Sequence, residues 1–256
     1  MTDLYRDPSL PIADRVEDLL GRMTPEEKAG QLTQLFFFAG QEVSDDLDIS
    51  ALPTGQQAFA ESSRVVSGRV NAGTVGSVLF VRDPVLANAL QRRAVEDTRL
   101  GVPLIFGFYV IHGLRTIFPA PIATAASWDP ESAAAGQAVA AREARAVGIH
   151  WAFAPMIDIA RDPRWGRIVE GAGEDPVLAA AMGAAQVRGF QGDLGPESVL
   201  SGPKHFAGYG AARGGRDYDD ADCRRRMISR APSVSTAGST SCVRARSVSR
   251  TRRRAR

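Results

Sequence analysis

Short apolar runs alternate along this chain with longer segments that open on a capping residue followed by proline. Residues 75–80, 102–108, 149–157 and 198–202 are apolar runs of strand length. Asp83-Pro84, Asp129-Pro130 and Asp175-Pro176 each read as a helix start. The aspartate accepts the first free backbone N–H groups, and the proline's fixed φ suits the first helical position. Helices are therefore expected over about 84–98, 131–147 and 176–190. Earlier, Thr24-Pro25-Glu26-Glu27 has the form of a capping box, with a helix expected to about Gln34. Residues 41–63 are polar, contain Pro53 and Gly55, and read as loop or short helices.

Strand, loop, capped helix and strand again is the order of a parallel α/β protein. The three Asp-Pro starts lie 46 residues apart. Charged and glycine-rich segments follow the strands and not the helices, as on the active face of a (β/α)8 barrel. A doubly wound sheet shares the pattern, but no G-x-G-x-x-G follows the first strand, which counts against a dinucleotide fold. From Gly73 to Tyr218 there is room for three to four βα units, where a closed barrel needs about eight. The expected fold class is thus α/β, a partial TIM-type barrel amounting to roughly its first half.

Composition adds a boundary. Hydrophobic content is an ordinary 44%, and the net charge is +2. Residues 223–256 hold eleven arginines, seven serines and no Asp, Glu or Lys. Residues 1–222 therefore carry 20 basic against 29 acidic side chains, a net of −9. The barrel portion is placed at 1–222. The tail at 223–256 is expected to be disordered, having no aromatic residue and no apolar periodicity, and its abrupt composition suggests out-of-frame translation. A nucleic-acid-binding arm is disfavoured, because no aromatic interleaves the arginines and the body has no basic face. Cys223 and Cys242 suit neither a disulfide framework nor a metal site. No membrane-length apolar run appears, and residues 1–20 do not look like a signal peptide, so a cytoplasmic location is expected.

The densest chemistry lies at residues 161–176, where seven charged side chains, Trp165 and three glycines occupy sixteen positions after an apolar run. Such charge beside a buried strand is costly unless paired or bound to something polar. The segment is either a salt-bridged loop or a binding site.

Three further stretches follow strands: residues 107–119 with Tyr109 and His112, Ala154-Pro155-Met156-Ile157-Asp158, and residues 204–218, opening Lys204-His205-Phe206. With 161–176, and with Met23-Thr24-Pro25-Glu26-Glu27-Lys28, they occur in an order and spacing that resembles the N-terminal barrel of glycoside hydrolase family 3, especially its bacterial β-glucosidases. The resemblance implies that Arg167, Lys204 and His205 hydrogen-bond a terminal β-glucosyl unit in the subsite where cleavage occurs. A guanidinium and an ammonium between them offer about eight N–H donors for sugar hydroxyls. Lys204 is one of only two lysines in the chain. The alternatives are an ion pair from Arg167 to Glu170 or Glu174, a solvated Lys204 and a core His205. His112 reads as loop support, Trp165 as packing, and Asp129 and Asp175 as caps. No cofactor or metal is implied, and the expected partner is a β-glucoside or oligosaccharide.

The chain departs from the family pattern at two sites. Tyr109 stands where the family has an aspartate that accepts hydrogen bonds from the sugar, and Arg213 where glucosidases have glutamate. Tyr209 replaces a histidine of the N-acetylglucosaminidase branch, which favours the glucosidase branch. The family's retaining mechanism needs two carboxyl groups about 5–5.5 Å apart, its nucleophile commonly beside a Trp in a later strand and its acid/base in a following domain. No residue here matches either, so no catalytic residue is assigned. The chain is expected to be inactive or nearly so, and open barrel edges are expected to favour self-association. A non-catalytic sugar-binding remnant and, behind it, a basic-tailed nucleic-acid binder are the competing readings.

Overall fold

The computed structural model describes residues 3–37, 46–206 and 208–221. Its centre is a sheet of five short strands, all parallel and in chain order: β1 (Gln34–Phe36), β2 (Ser77–Leu79), β3 (Ile105–Phe108), β4 (Trp151–Ala152) and β5 (Leu200–Ser201). Strand order equal to chain order, with a helix in each connection, is the arrangement of successive barrel units. β1 and β5 form the two edges of the sheet. The basic tail, and with it the expectation of disorder, lies outside the described residues.

Four of the strands fall inside the apolar runs of the sequence; β1 does not. The capped helix α2 (Pro25–Gln31), which follows α1 (Ile12–Arg22), ends three residues before Gln34, and the chain there turns into the sheet. Its box is complete, with Thr24 Oγ1 accepting from Glu27 N at 3.2 Å and Glu27 Oε2 accepting from Thr24 N at 2.8 Å. The stretch expected as loop or short helices contains the start of α3 (Thr54–Asn71), whose buried stripe of Ala60, Ser63, Val66 and Val70 was masked by polar neighbours.

Each Asp-Pro pair does begin a helix. Asp83 caps α4 (Pro84–Arg92), which runs on as one π-helical turn to Asp97. After α5 (Pro121–Ala125), Asp129 caps α6 (Pro130–Ala146) and Asp175 caps α7 (Pro176–Gln191), each through two backbone N–H groups. One core cluster packs α3 and α4 against the sheet through Val66, Val70, Leu90 and Phe106. A second packs α6 and α7 through Ala140, Ala144, Ile149 and Phe190. Gly189 brings those two helices together: a Cβ there would lie 2.3 Å from the Ala134 carbonyl oxygen. Among the described residues no helix is long and apolar enough to cross a membrane.

His150 links β3 to β4, its Nδ1 accepting the Phe106 backbone N–H at 3.0 Å. Nδ1 must be unprotonated to accept, and burial holds the imidazole pKa below the ordinary histidine value. As pH falls below about 6.5 the unfolded chain takes up this proton before the folded one does, so stability is lost on acidification. The melting temperature should fall from pH 7.5 to 5.5, and His150→Gln should flatten that slope. An unchanged slope in the variant would assign the pH dependence elsewhere.

Candidate active site

The site lies at the C-terminal ends of the strands. Tyr109 directly follows β3 and is 44% exposed. Beyond β4 and β5 the pairing continues as an isolated parallel bridge from Met156 to Lys204. Lys204 N donates to Pro155 O at 3.0 Å and Ile157 N to Lys204 O at 2.7 Å. This register sets Asp158 beside His205. The Ala154–Pro155 and Lys204–His205 peptide bonds are both cis.

Two of the four residues expected to bind sugar, Arg167 and His205, are held by carboxylates. Arg167 is held by Glu170 in a two-pronged ion pair, Nε to Oε1 at 2.6 Å and Nη2 to Oε2 at 2.7 Å. Its remaining Nη1 reaches the Tyr209 hydroxyl at 3.3 Å. The ion-pair reading of this arginine therefore holds, and the pairing leaves the guanidinium half-buried and oriented. The arginine in turn holds the Glu170 carboxyl below the usual carboxylate range. His205 donates both its backbone N–H, at 3.1 Å, and Nδ1, at 2.8 Å, to Asp158 Oδ2. A carboxylate can only accept, so Nδ1 carries the hydrogen and the Nε2 of a neutral ring is left as an acceptor.

Lys204 differs. Its Nζ sits 4.1 Å from the centre of the Tyr109 ring, a cation–π contact where the family pattern has a carboxylate. Burial first and Arg167 second push its pKa down to about 8. Tyr109 is wedged between Phe80 and Phe153, with ring centres 5.5 and 6.1 Å away. Phe36 stacks on Phe80 at 5.8 Å, so a row of aromatic rings crosses the strand ends beside the lysine.

Tyr209 joins the two halves. Its ring lies 4.4 Å from His205, 5.4 Å from Trp165 and under the Arg167 guanidinium. Burial and the neighbouring Asp217 carboxylate push its phenol up to about 12. The turn that carries it is pinned where Gly210 meets Ile159, since a Cβ at Gly210 would lie 2.3 Å from the Ile159 carbonyl oxygen. Trp165 is 2% exposed and donates its indole N–H to Asp217 Oδ1 at 2.9 Å; it packs and offers no face to a ligand. His112 supports its loop through a 2.9 Å contact from Nδ1 to Phe118 O. Arg213 is exposed. The sequence reading missed Asp158, Tyr209 and Asp217 as positioning groups. Asp158 alone had a signal, as the acidic end of an otherwise apolar motif.

The profile of the glycosyl hydrolase family 3 N terminal domain matches residues 24–231. The periplasmic β-glucosidase of Salmonella typhimurium is 34% identical over 209 residues, covering 81% of this chain and 25% of that protein. The periplasmic β-glucosidase/β-xylosidase of Dickeya chrysanthemi is 33% identical over 232 residues, covering 83% of this chain and 34% of that protein. A crystal structure of β-glucosidase from Listeria innocua superimposes with a TM-score of 0.71 at 34% identity, covering 84% of this chain and 29% of that one. The chain thus spans between a quarter and about a third of these relatives. Two of them are named periplasmic, which corrects the expectation of a cytoplasmic location. That expectation rested on two absences, of a signal-like segment in residues 1–20 and of a membrane-length apolar run, whereas the likeness extends over four-fifths of the chain. On the matched residues and the superimposed fold, the chain belongs to glycosyl hydrolase family 3, through its N-terminal domain.

Proposed function

We propose that this chain forms the sugar-holding part of a β-glucosidase-type site, in which a terminal β-D-glucosyl unit rests among Arg167, Lys204, His205 and Tyr109. The observation that carries the reading is the convergence of a guanidinium, an ammonium and an imidazole on one strand-end surface, with Arg167 and His205 each oriented from behind by a carboxylate. Sugar hydroxyls are recognised by such prefixed donors and acceptors because little side-chain freedom is lost on binding. The Listeria innocua enzyme has been crystallised with laminaribiose and with glucose, which supports the same ligand class here.

The same geometry favours binding without cleavage by the described residues. Asp158 is bound to His205, Glu170 to Arg167 and Asp217 to Trp165. None of these carboxylates is left as one of the opposed pair that retaining hydrolysis uses. Titration calorimetry with glucose should give saturable binding, weakened about ten- to a hundredfold in Arg167→Ala, which loses a charged donor. An aryl β-glucoside should be left intact by the 256-residue chain. Equal affinity in the variant would remove Arg167 from the site, and turnover would refute the assignment of the carboxylates.

A further inference from the structure

Away from the strand ends, a cavity of about 300 Å³ opens between α5, α6, α7 and the loop that follows β3. Tyr109, Arg167, Lys204 and His205 are not in its wall, which is formed largely by Phe118, Pro121, Ala133 and Gly136 with two glutamines, Gln137 and Gln186. Both glutamines are more than nine-tenths buried, at 5% and 8% exposure. Gln186 makes no side-chain hydrogen bond among the described residues. Gln137 donates its Nε2 to Ile111 O at 3.0 Å. A carbonyl can only accept, so that bond fixes the amide orientation, and the buried Oε1 is left without a partner. Buried amides are costly to leave unmet and are rare in folded proteins. The Gln137 oxygen is sealed within the wall, so the Gln186 amide, which lines the cavity, is the polar group an occupant can meet.

The remaining wall limits what that occupant is. No Asp, Glu, Lys or Arg lines the cavity, and its one imidazole, His112, is engaged through Nδ1 by Phe118 O, so the wall offers an ion no fixed counter-charge. The hydroxyls at the mouth have spent their hydrogens, Ser127 on Thr124 O at 2.7 Å and Ser132 on Asp129 Oδ2. A sugar would carry a ring of hydroxyls into walls that are mainly carbon, leaving most of them unmet. A molecule with one hydroxyl on an apolar ring fits both halves of the wall. We propose that this cavity is a second binding site, for an uncharged phenol-type molecule whose ring packs against Phe118 and Pro121 and whose hydroxyl meets the Gln186 amide. An amide can both donate to a hydroxyl and accept from it, while water serves the same groups when no ligand is bound.

Phenol itself is the probe, titrated into the full-length chain by ligand-observed NMR. Saturable binding is expected, and glucose should not displace it. Anisole keeps the ring and loses the hydroxyl hydrogen, so it should bind about tenfold more weakly. Gln186→Met keeps side-chain length and removes the amide, and should equalise phenol and anisole. Gly136→Leu fills the cavity: its Cβ would meet the Phe118 ring at 3.5 Å, an ordinary contact. Leucine also suits a helix better than glycine, so this variant should fold and lose binding altogether. Unsaturable binding, or affinity unchanged in Gly136→Leu, would overturn the site. Anisole binding as tightly as phenol to the unaltered chain would overturn recognition of the hydroxyl, and that comparison requires no variant to fold.

Discussion

Replacing Asp158 by alanine is expected to lower the melting temperature and the affinity for glucose together. The Asp158 side chain is 2% exposed, and its Oδ2 takes both the backbone N–H and the Nδ1–H of His205. Without it, two donors are left unmet next to Lys204. Hydrogen bonds to a charged acceptor are worth about 1.5–3 kcal/mol each, and part of that is recovered from water, so about 3 kcal/mol is the expected net cost. In a protein of this size that corresponds to a fall of about 6–12 °C. Asparagine separates the hydrogen bonds from the charge. With its amide oxygen in the place of Oδ2 it can still accept both the backbone N–H and the Nδ1–H, so the ring keeps its orientation and its tautomer. Asp158→Asn should therefore melt well above Asp158→Ala and keep most of the affinity for glucose, whereas the alanine variant should bind about tenfold more weakly. A thermal melt and a glucose titration on both variants test this. An equal loss of affinity in the two variants would mean that the charge of Asp158, and not its hold on His205, is what the sugar requires.

The contrast between Asp158 and Arg167 shows what the sequence could and could not reveal. Arg167 sits in a dense motif, and its partner Glu170 is three residues away, so both the proposal that it binds sugar and its ion pair were open to inspection. His205 and Asp158 are 47 residues apart, and Trp165 and Asp217 are 52 apart. No spacing rule joins such pairs; strand register does. The fold divides in the same way. β2 to β5 are apolar runs bounded by turns and by strong Asp-Pro caps, each a local signal. β1 has only Gln34, Leu35 and Phe36 inside the sheet, and it follows α2 so closely that the helical pattern absorbs it. α3 carries exposed Gln56 and Glu61 between its buried positions, and Pro53 and Gly55 at its start resemble a loop. Its buried stripe is set by contact with the sheet, which is a tertiary fact.

Tyr109 is the departure from the family pattern with the clearest consequence, and pH exposes it. The ammonium of Lys204 faces an aromatic ring, while the neighbouring carboxylates Glu170 and Asp158 are already engaged by Arg167 and His205. Burial and the Arg167 charge hold its pKa at about 8, against 10.5 for an ordinary lysine. Between these two values the unfolded chain keeps a proton that the folded chain has lost, so stability should rise with pH across that window. Tyr209, with a phenol raised to about 12, reverses the trend only above about pH 10. Glucose affinity should move the other way and fall as pH passes about 8, because a neutral amine offers sugar oxygens a weaker donor than an ammonium does. Opposite slopes from one group are a distinctive signature, and Lys204→Met should abolish both. Tyr109→Asp places a carboxylate in the volume that the ring leaves. It should raise the lysine pKa, carry the loss of affinity to higher pH, and improve glucose binding at pH 7 about ten- to a hundredfold through a charged acceptor for the sugar. The loss of ring contacts to Phe80 and Phe153 should at the same time lower the melting temperature. If the pH midpoint of glucose binding stays near 8 in Tyr109→Asp, Lys204 is not the group that titrates, and the tyrosine is not what set this site apart from its relatives.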